Sequence, residues 1–384
     1  MTKKEISELK KQFTPDNSVI TRICGCYVDG DKDVKLKMKQ AFHSLPEEDA
    51  FKYFEIFKKS MSGTIGKNLL NMEFPLNQEM EGGTQEFLLK LRDSKLEDDE
   101  MIDEFYQKII ENYSYGQNYY IILIHGVYDV PGKSTSGEEM FDASDIVYEY
   151  IMCSICPVNL SKAGLGYNTE KNTIEERIRD WVVDAPAKAF LFPAFNDRMS
   201  DIHAMLYYSK NSEDLQPELI ENVFGSSSMP MSADDQKETF QAIIQETLGE
   251  DCDYNVVRNI HDNLNDMIEE KKDEPEPLVL TKTDVRHLFE KSKVPDEKME
   301  TFDKGFTEIA GDRTELVATN IANTRKFNIA TPDIEIKVKS DRTDLIETKI
   351  IDGRQCLVIA VNDHIEVNGI NVRTLHTDEY EYEE

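Results

Sequence analysis

The formal charge of this chain is −31, and residues 61–324 carry −28 of it. Residues 1–60 hold 12 basic and 10 acidic side chains. Residues 325–376 hold eight of each, and residues 377–384 add five acids and no base. The core must therefore be built from the 39% of residues that are apolar, inside a long polyanionic block. That fraction is low for a globular protein, but the Phe and Tyr content is too high for wholesale disorder. At 384 residues the chain has room for two or three domains with real cores. Such a surface repels nucleic-acid backbone and anionic lipid, and it attracts basic partners or cations.

The N-terminal stretch is basic but lacks the apolar segment of a secretory signal. The longest apolar run, Ile121–Ile124 extended by Tyr119 and Tyr120, is far short of a membrane helix. The expectation is a cytoplasmic protein without membrane contact, its six cysteines reduced.

Along the chain, residues 3–12 pattern as a short helix and Val19–Val28 as a strand stopped by Asp29-Gly30. Two helices are expected next, the second starting near Pro46 with Glu47, Glu48 and Asp49 in its first turn. Residues 62–83, rich in Gly and Pro, read as an irregular connection, followed by helices near 84–93 and 97–112. Tyr119–Val130 and Val147–Val158 read as strands. Ala189–Phe195 and Ile202–Ser209 read as a hairpin around Asn196–Asp201. Thr173–Val183, with the only tryptophan, Trp181, is expected to be helical.

From about 216 to 324 the pattern is helical, with a capping box at Ser232 and Asp235. The charged, Pro-containing stretch 269–277 reads as a linker. Beyond it, Asp352-Gly353 and Asn368-Gly369 mark tight hairpin turns. The fold class is α+β: a mixed, largely antiparallel sheet packed with helices over residues 1–215, an acidic helical region over 216–324, and a small β module over 325–376. Residues 377–384 read as a disordered acidic tail.

Three sets of residues invite functional readings. Cys24 and Cys26 share one face of a strand, and Cys153 and Cys156 lie on or at the end of another. Together they have the donors of a zinc or iron–sulfur site. Positions 153 and 156 face opposite ways on a straight strand, so a site needs a bend at Pro157; the plainer reading is four core thiols. The second set is His125 and Asp129 late in a strand, Asp197, Arg198, Asp201 and His203 around a turn, and Asp142 and Asp145. Convergent strand ends would make these a hydrolase or transferase site. The alternative is that the aspartates cap turns and pair with Arg198. The third set is the lysines of the first 40 positions: Lys3, Lys4, Lys10, Lys11, Lys32, Lys35, Lys37 and Lys39. They form either a local basic patch or a solvated helix face. Ser62–Asn68 has the wrong spacing for a phosphate loop and follows no predicted strand.

Several stretches resemble a bacterial family catalogued as domain of unknown function 4317. They are Ile20–Gly30 (ITRICGCYVDG), Gly66–Leu70 (GKNLL), Glu79–Phe87 (EMEGGTQEF), Cys153–Ser161 (CSICPVNLS), Phe190–Arg198 (FLFPAFNDR) and Val367–Ile370 (VNGI). The resemblance spans nearly the whole chain. It implies a cytoplasmic bacterial protein and assigns no activity, substrate or catalytic residue. The leading functional expectation is a non-enzymatic binding protein that engages a basic protein partner, with nucleic acid disfavoured. The metal-thiolate protein and the His/Asp hydrolase or transferase are the alternatives.

Overall fold

The computed structural model describes residues 1–133, 139–140, 146–225, 231–274, 276–311, 314–361 and 365–372. Asp142, Asp145 and the acidic tail lie outside the described residues. The chain divides into two compact units, Met1–Asp235 with Pro275–Pro277, and Gln236–Glu274 with Leu278–Glu384.

The first unit is built on one large sheet. Its strands are β1 (Ile20–Val28), β2 (Val34–Ala41), β3 (Leu69–Glu73), β4 (Tyr119–Asp129), β5 (Val147–Leu160), β6 (Trp181–Val183), β7 (Lys188–Phe192) and β8 (Ala204–Ser209). They lie in the order β2-β1-β4-β5-β7-β8-β3, with β6 pairing the far end of β5. Every described pairing in this sheet is antiparallel, and with its helices it gives the α+β, largely antiparallel arrangement the sequence suggests.

Helices cover both faces. On one side α3 (Thr84–Asp93), α4 (Asp99–Asn112) and α5 (Pro217–Phe224) contribute Leu88, Leu91, Phe105, Ile109, Leu219 and Phe224. On the other, α1 (Lys3–Lys10) and α2 (Glu47–Ser60) contribute Ile6, Leu9, Phe54 and Phe57. Side chains alternate along a strand, so Ile121 and Leu123 enter the first layer and Ile122 and Ile124 the second. A strand covered on both faces needs apolar residues at successive positions, which is why Tyr119–Ile124 reads as an unbroken apolar run.

Three elements differ from the sequence reading. Val34–Ala41, expected within a helix, is β2, paired antiparallel to β1. Lys35, Lys37 and Lys39 alternate with Leu36 and Met38 at a period of two, and the lysines reach carboxylates at Asp29 (2.8 Å), Asp103 (2.6 Å) and Asp99 (2.5 Å). This part of the basic cluster is thus neither a helix face nor a free patch. Residues 62–83 contain β3, whose five residues are too few for periodicity to stand out among glycines and prolines. Thr173–Val183 is not helical: Thr173–Glu176 pairs with Leu165–Asn168, and Trp181–Val183 becomes β6.

In the second unit α6 (Ala233–Leu248), α7 (Tyr254–Glu270), α8 (Lys282–Lys291) and α9 (Met299–Ile309) enclose Phe240, Leu264, Phe289 and Phe302. Among the described residues three separate hairpins follow: Lys326–Ala330 with Glu335–Lys339, Ile346–Ile351 with Arg354–Ile359, and Ile365–Val367 with Ile370–Val372. Asp352, Gly353, Asn368 and Gly369 all have positive φ, as tight two-residue turns require. Among the described residues no helix is long and apolar enough to cross a membrane.

Candidate functional site

The register of the sheet fixes where the cysteines lie. Cys24 pairs with Leu123, and Leu123 with Cys153, so the three form one row across β1, β4 and β5. Two strand spacings, roughly 10 Å, separate the two thiol positions, and Leu123 stands between them. β5 runs through Pro157 without losing register, so the bend that would bring Cys156 round does not occur. Cys156 packs in the layer under α1 and α2, whereas Cys24, Cys26 and Cys153 face α3–α5. The four side chains do not meet at one point, and among the described residues no group of three or more His, Cys, Asp or Glu is placed to hold a metal ion. Burial pushes the Cys24 and Cys26 thiols up to about 11 and raises Cys153 and Cys156 as well. With pKa values near 11, roughly one thiol in a thousand is ionised at pH 8. Ellman titration of native protein should therefore register Cys252, which is exposed, and partly exposed Cys356, and should reach all six thiols only in denaturant. Fast reaction of four or more native thiols would contradict this burial.

The His/Asp set is likewise dispersed. His125 is fully buried in β4, with Nδ1 2.6 Å from Thr21 Oγ1 and Nε2 2.8 Å from Glu149 Oε1. Burial lowers its pKa against the opposing pull of Glu149. A neutral ring then donates from Nε2–H to Glu149 and accepts the Thr21 hydroxyl proton at Nδ1. Thr21 sits at an irregularity in the β1–β4 register, and the three residues tie β1, β4 and β5 together there. His203 lies apart, exposed before β8, where Nδ1 is 2.9 Å from Glu79, which raises its pKa. Asp201 accepts the His203 backbone N–H at 3.0 Å and the Asn196 amide at 2.7 Å. Asp197 and Arg198 form a left-handed turn, φ 51° and 59°. Arg198 pairs with Glu8 of α1 at 2.8 Å. Asp129 closes β4, exposed and opposite Val147.

An open groove of about 780 Å³ lies on the first unit between α2, the β1–β2 side of the sheet and β6. Met38, Tyr53, Ile56, Tyr120, Val182 and Val183 give it an apolar lining, and Asp49, Lys52, Glu55, Lys59 and Asp184 a charged margin. Tyr120 Oη lies 3.0 Å from Met38 Sδ and 3.3 Å from Tyr53 Oη. The Tyr120 ring crosses β1 over Gly25, where a Cβ would stand 2.0 Å from its hydroxyl oxygen. The Cys-Gly-Cys segment thus carries a structural requirement at its glycine. Gly126 plays the same part under Tyr150, 2.5 Å from its Cζ. Of these lining elements the sequence pattern marks α2 and the strand carrying Tyr120, but not β2 or β6.

One buried cation also escaped sequence reading. Lys188 opens β7 at 2% exposure, and its Nζ donates to Ser209 Oγ (2.9 Å), to Asp214 Oδ2 (3.1 Å) and to the Asp214 carbonyl. Burial lowers its pKa and Asp214 opposes this. The signal available was a single lysine set in the otherwise apolar run Ala187–Phe192. Ser209 is fully buried, so this Ser–Lys pair is closed to a substrate and serves to anchor the 210–215 turn.

A family model described as Domain of unknown function (DUF4317) matches residues 1–370. The chain belongs to the DUF4317 family. The match runs through both compact units, so the sheet unit and the helical unit with its hairpins are parts of one family architecture. A search of curated proteins found no match.

Proposed function

We propose that this DUF4317 protein is a non-enzymatic binding protein whose acidic helices engage a basic protein partner. The observation that carries the reading is the charge of segment 236–309, with 19 acidic side chains against 10 basic. Asp266, Glu270, Glu297, Glu300 and Glu308 are exposed there, while the apolar stripes of the same helices are turned into the Phe240–Phe302 core. Exposed like charges repel one another, so a cationic partner gains both by pairing with them and by relieving that repulsion. The catalytic alternative has less support, since His125 and His203 have separate carboxylate partners and Asp197 lies in a left-handed turn. A cytoplasmic location fits six free cysteines, four of them buried.

The test uses a fluorescent oligolysine peptide and the full chain. Anisotropy should report saturable binding that weakens about tenfold or more as salt rises from ~0.05 to ~0.2 M, the range over which exposed charges become screened. Replacing Glu270, Glu297, Glu300 and Glu308 by glutamine should weaken it. Neutralising Glu47, Glu48, Asp49 and Glu55 in the first unit should leave it nearly unchanged. Equal loss from both sets would reduce the effect to net charge and remove the proposal.

A further inference from the structure

We propose that the groove between α1 and the C-terminal end of α2 binds the phosphate group of a small organic phosphate, independently of the basic partner. The groove measures about 700 Å³ and lies wholly within the first unit. Ile6, Met61, Ile65 and Leu69 supply its apolar surface, and Lys3, Lys10, Lys11 and Lys58 its charge. Among the described residues no carboxylate lines it. In a chain with 75 acids and 44 bases, four lysines around one cavity without an acid run against the general composition. Elsewhere in the same unit several lysines are matched, as Lys37 is by Asp103 and Lys90 by Glu86.

Lys10 is the central group. It is half-buried and donates to Ser62 Oγ at 2.8 Å, one of the three donors an ammonium carries. Burial pushes its pKa down, and the charges of Lys59 and Lys58 add to this. An anion entering the groove would remove that repulsion. Thr14 and Asn17 also line the groove, close to Lys10 and Lys11 in sequence. At the opposite wall the backbone turns at Gly63, φ 124°, where a Cβ would stand 2.5 Å from Asn68 Cβ. The Ser62–Asn68 stretch, which lacks the spacing of a phosphate loop, meets the groove through Ser62 and Gly63.

The chemistry favours a phosphate ester. Several ammonium groups around one cavity match a group with nearly two negative charges and three acceptor oxygens. The apolar surface suits an organic body attached to it. A long nucleic acid is disfavoured, because the field of the −31 chain repels a polyanion, whereas a small ligand within about 8 Å of the lysines feels mainly their local charge.

The experiment is calorimetric titration of the full chain with ADP, pyrophosphate and adenosine, beside flotation with phosphatidylglycerol and phosphatidylcholine vesicles. The expected result is saturable binding of ADP or pyrophosphate but not adenosine, weakened roughly tenfold per lysine contact removed in Lys10→Gln/Lys58→Gln. Should that variant fold poorly, Lys3→Gln/Lys11→Gln, both at exposed positions, provides the same comparison. Binding to phosphatidylglycerol vesicles alone, lost in either variant, would uphold the phosphate site and assign it to a lipid headgroup. Absence of saturable binding in both arms, binding of adenosine equal to that of ADP, or affinities unchanged in both variants would overturn it.

Discussion

Gly25→Ala is expected to destabilise the sheet unit by about 2–3 kcal/mol, large for one methyl group. The added Cβ would lie 2.0 Å from Tyr120 Oη and 2.6 Å from its Cζ, so the ring has to move. It has little freedom to do so. Tyr120 is 8% exposed, and its hydroxyl lies against Met38 Sδ and Tyr53 Oη, so displacement disturbs β2 and α2 together. For a unit of this size the loss corresponds to a melting shift of roughly 5–10 °C. Urea melts of Gly25→Ala, Tyr120→Ala and the double variant check the cause. In the Tyr120→Ala background the cost of Gly25→Ala should fall below about 1 kcal/mol, because the methyl group then enters space the ring has left. A Gly25→Ala protein as stable as the parent would mean that the ring does not rest on this glycine. The same variants report on the 780 Å³ groove, whose wall Tyr120 forms.

The Gly25 case also shows where sequence reading succeeds and where it stops. Amphipathic helices were legible because their stripes persist over several turns: Met101, Ile102, Phe105 and Ile109 mark α4, and Phe240, Ile243 and Ile244 mark α6. The hairpin turns at Asp352-Gly353 and Asn368-Gly369 were legible because positive φ at two successive positions selects those residues. β2 was misread because on an outer strand the alternation of Lys35, Lys37 and Lys39 with Leu36 and Met38 resembles a polar helix face. In the site, residue types were visible but register was not. Whether Cys153 and Cys156 meet Cys24 depends on which residue of β4 lies between them, and that follows from the long-range pairings Cys24 with Leu123 and Leu123 with Cys153. The lysine groove was half legible: Lys3, Lys10 and Lys11 stood out as a basic cluster, but only the packing of α1 against α2 adds Lys58 and Ser62.

Lys188→Met is expected to cost the sheet unit about 2–3 kcal/mol, although methionine is of similar length and apolar. The ammonium lies within the layer under α4 and α5 and donates to Ser209 Oγ and to two oxygens of Asp214. Without it the Asp214 carbonyl keeps only the Ser209 hydroxyl, at 2.9 Å, and that hydroxyl is shared with Asn211 O. An under-bonded buried acceptor costs about 1–3 kcal/mol. Breaking a fully buried ion pair costs ~3–5 kcal/mol, but the Asp214 side chain is 51% exposed and its carboxylate can return to water, so the lower figure applies. Asp214→Asn should also destabilise, since a buried charge then has no counter-ion, and Lys188→Met/Asp214→Asn should cost less than the sum of the two. The pH dependence follows from the lowered pKa. The unfolded lysine holds its proton up to the ordinary 10.5, whereas the folded one releases it earlier. In that interval the unfolded state binds more protons, so parent stability from this group rises with pH. The gap between parent and Lys188→Met should therefore widen as pH approaches 10.5, measured by urea melts in matched buffers. A gap that narrows there would mean that Lys188 is charged and well paired in the folded state, with Asp214 outweighing the effect of burial.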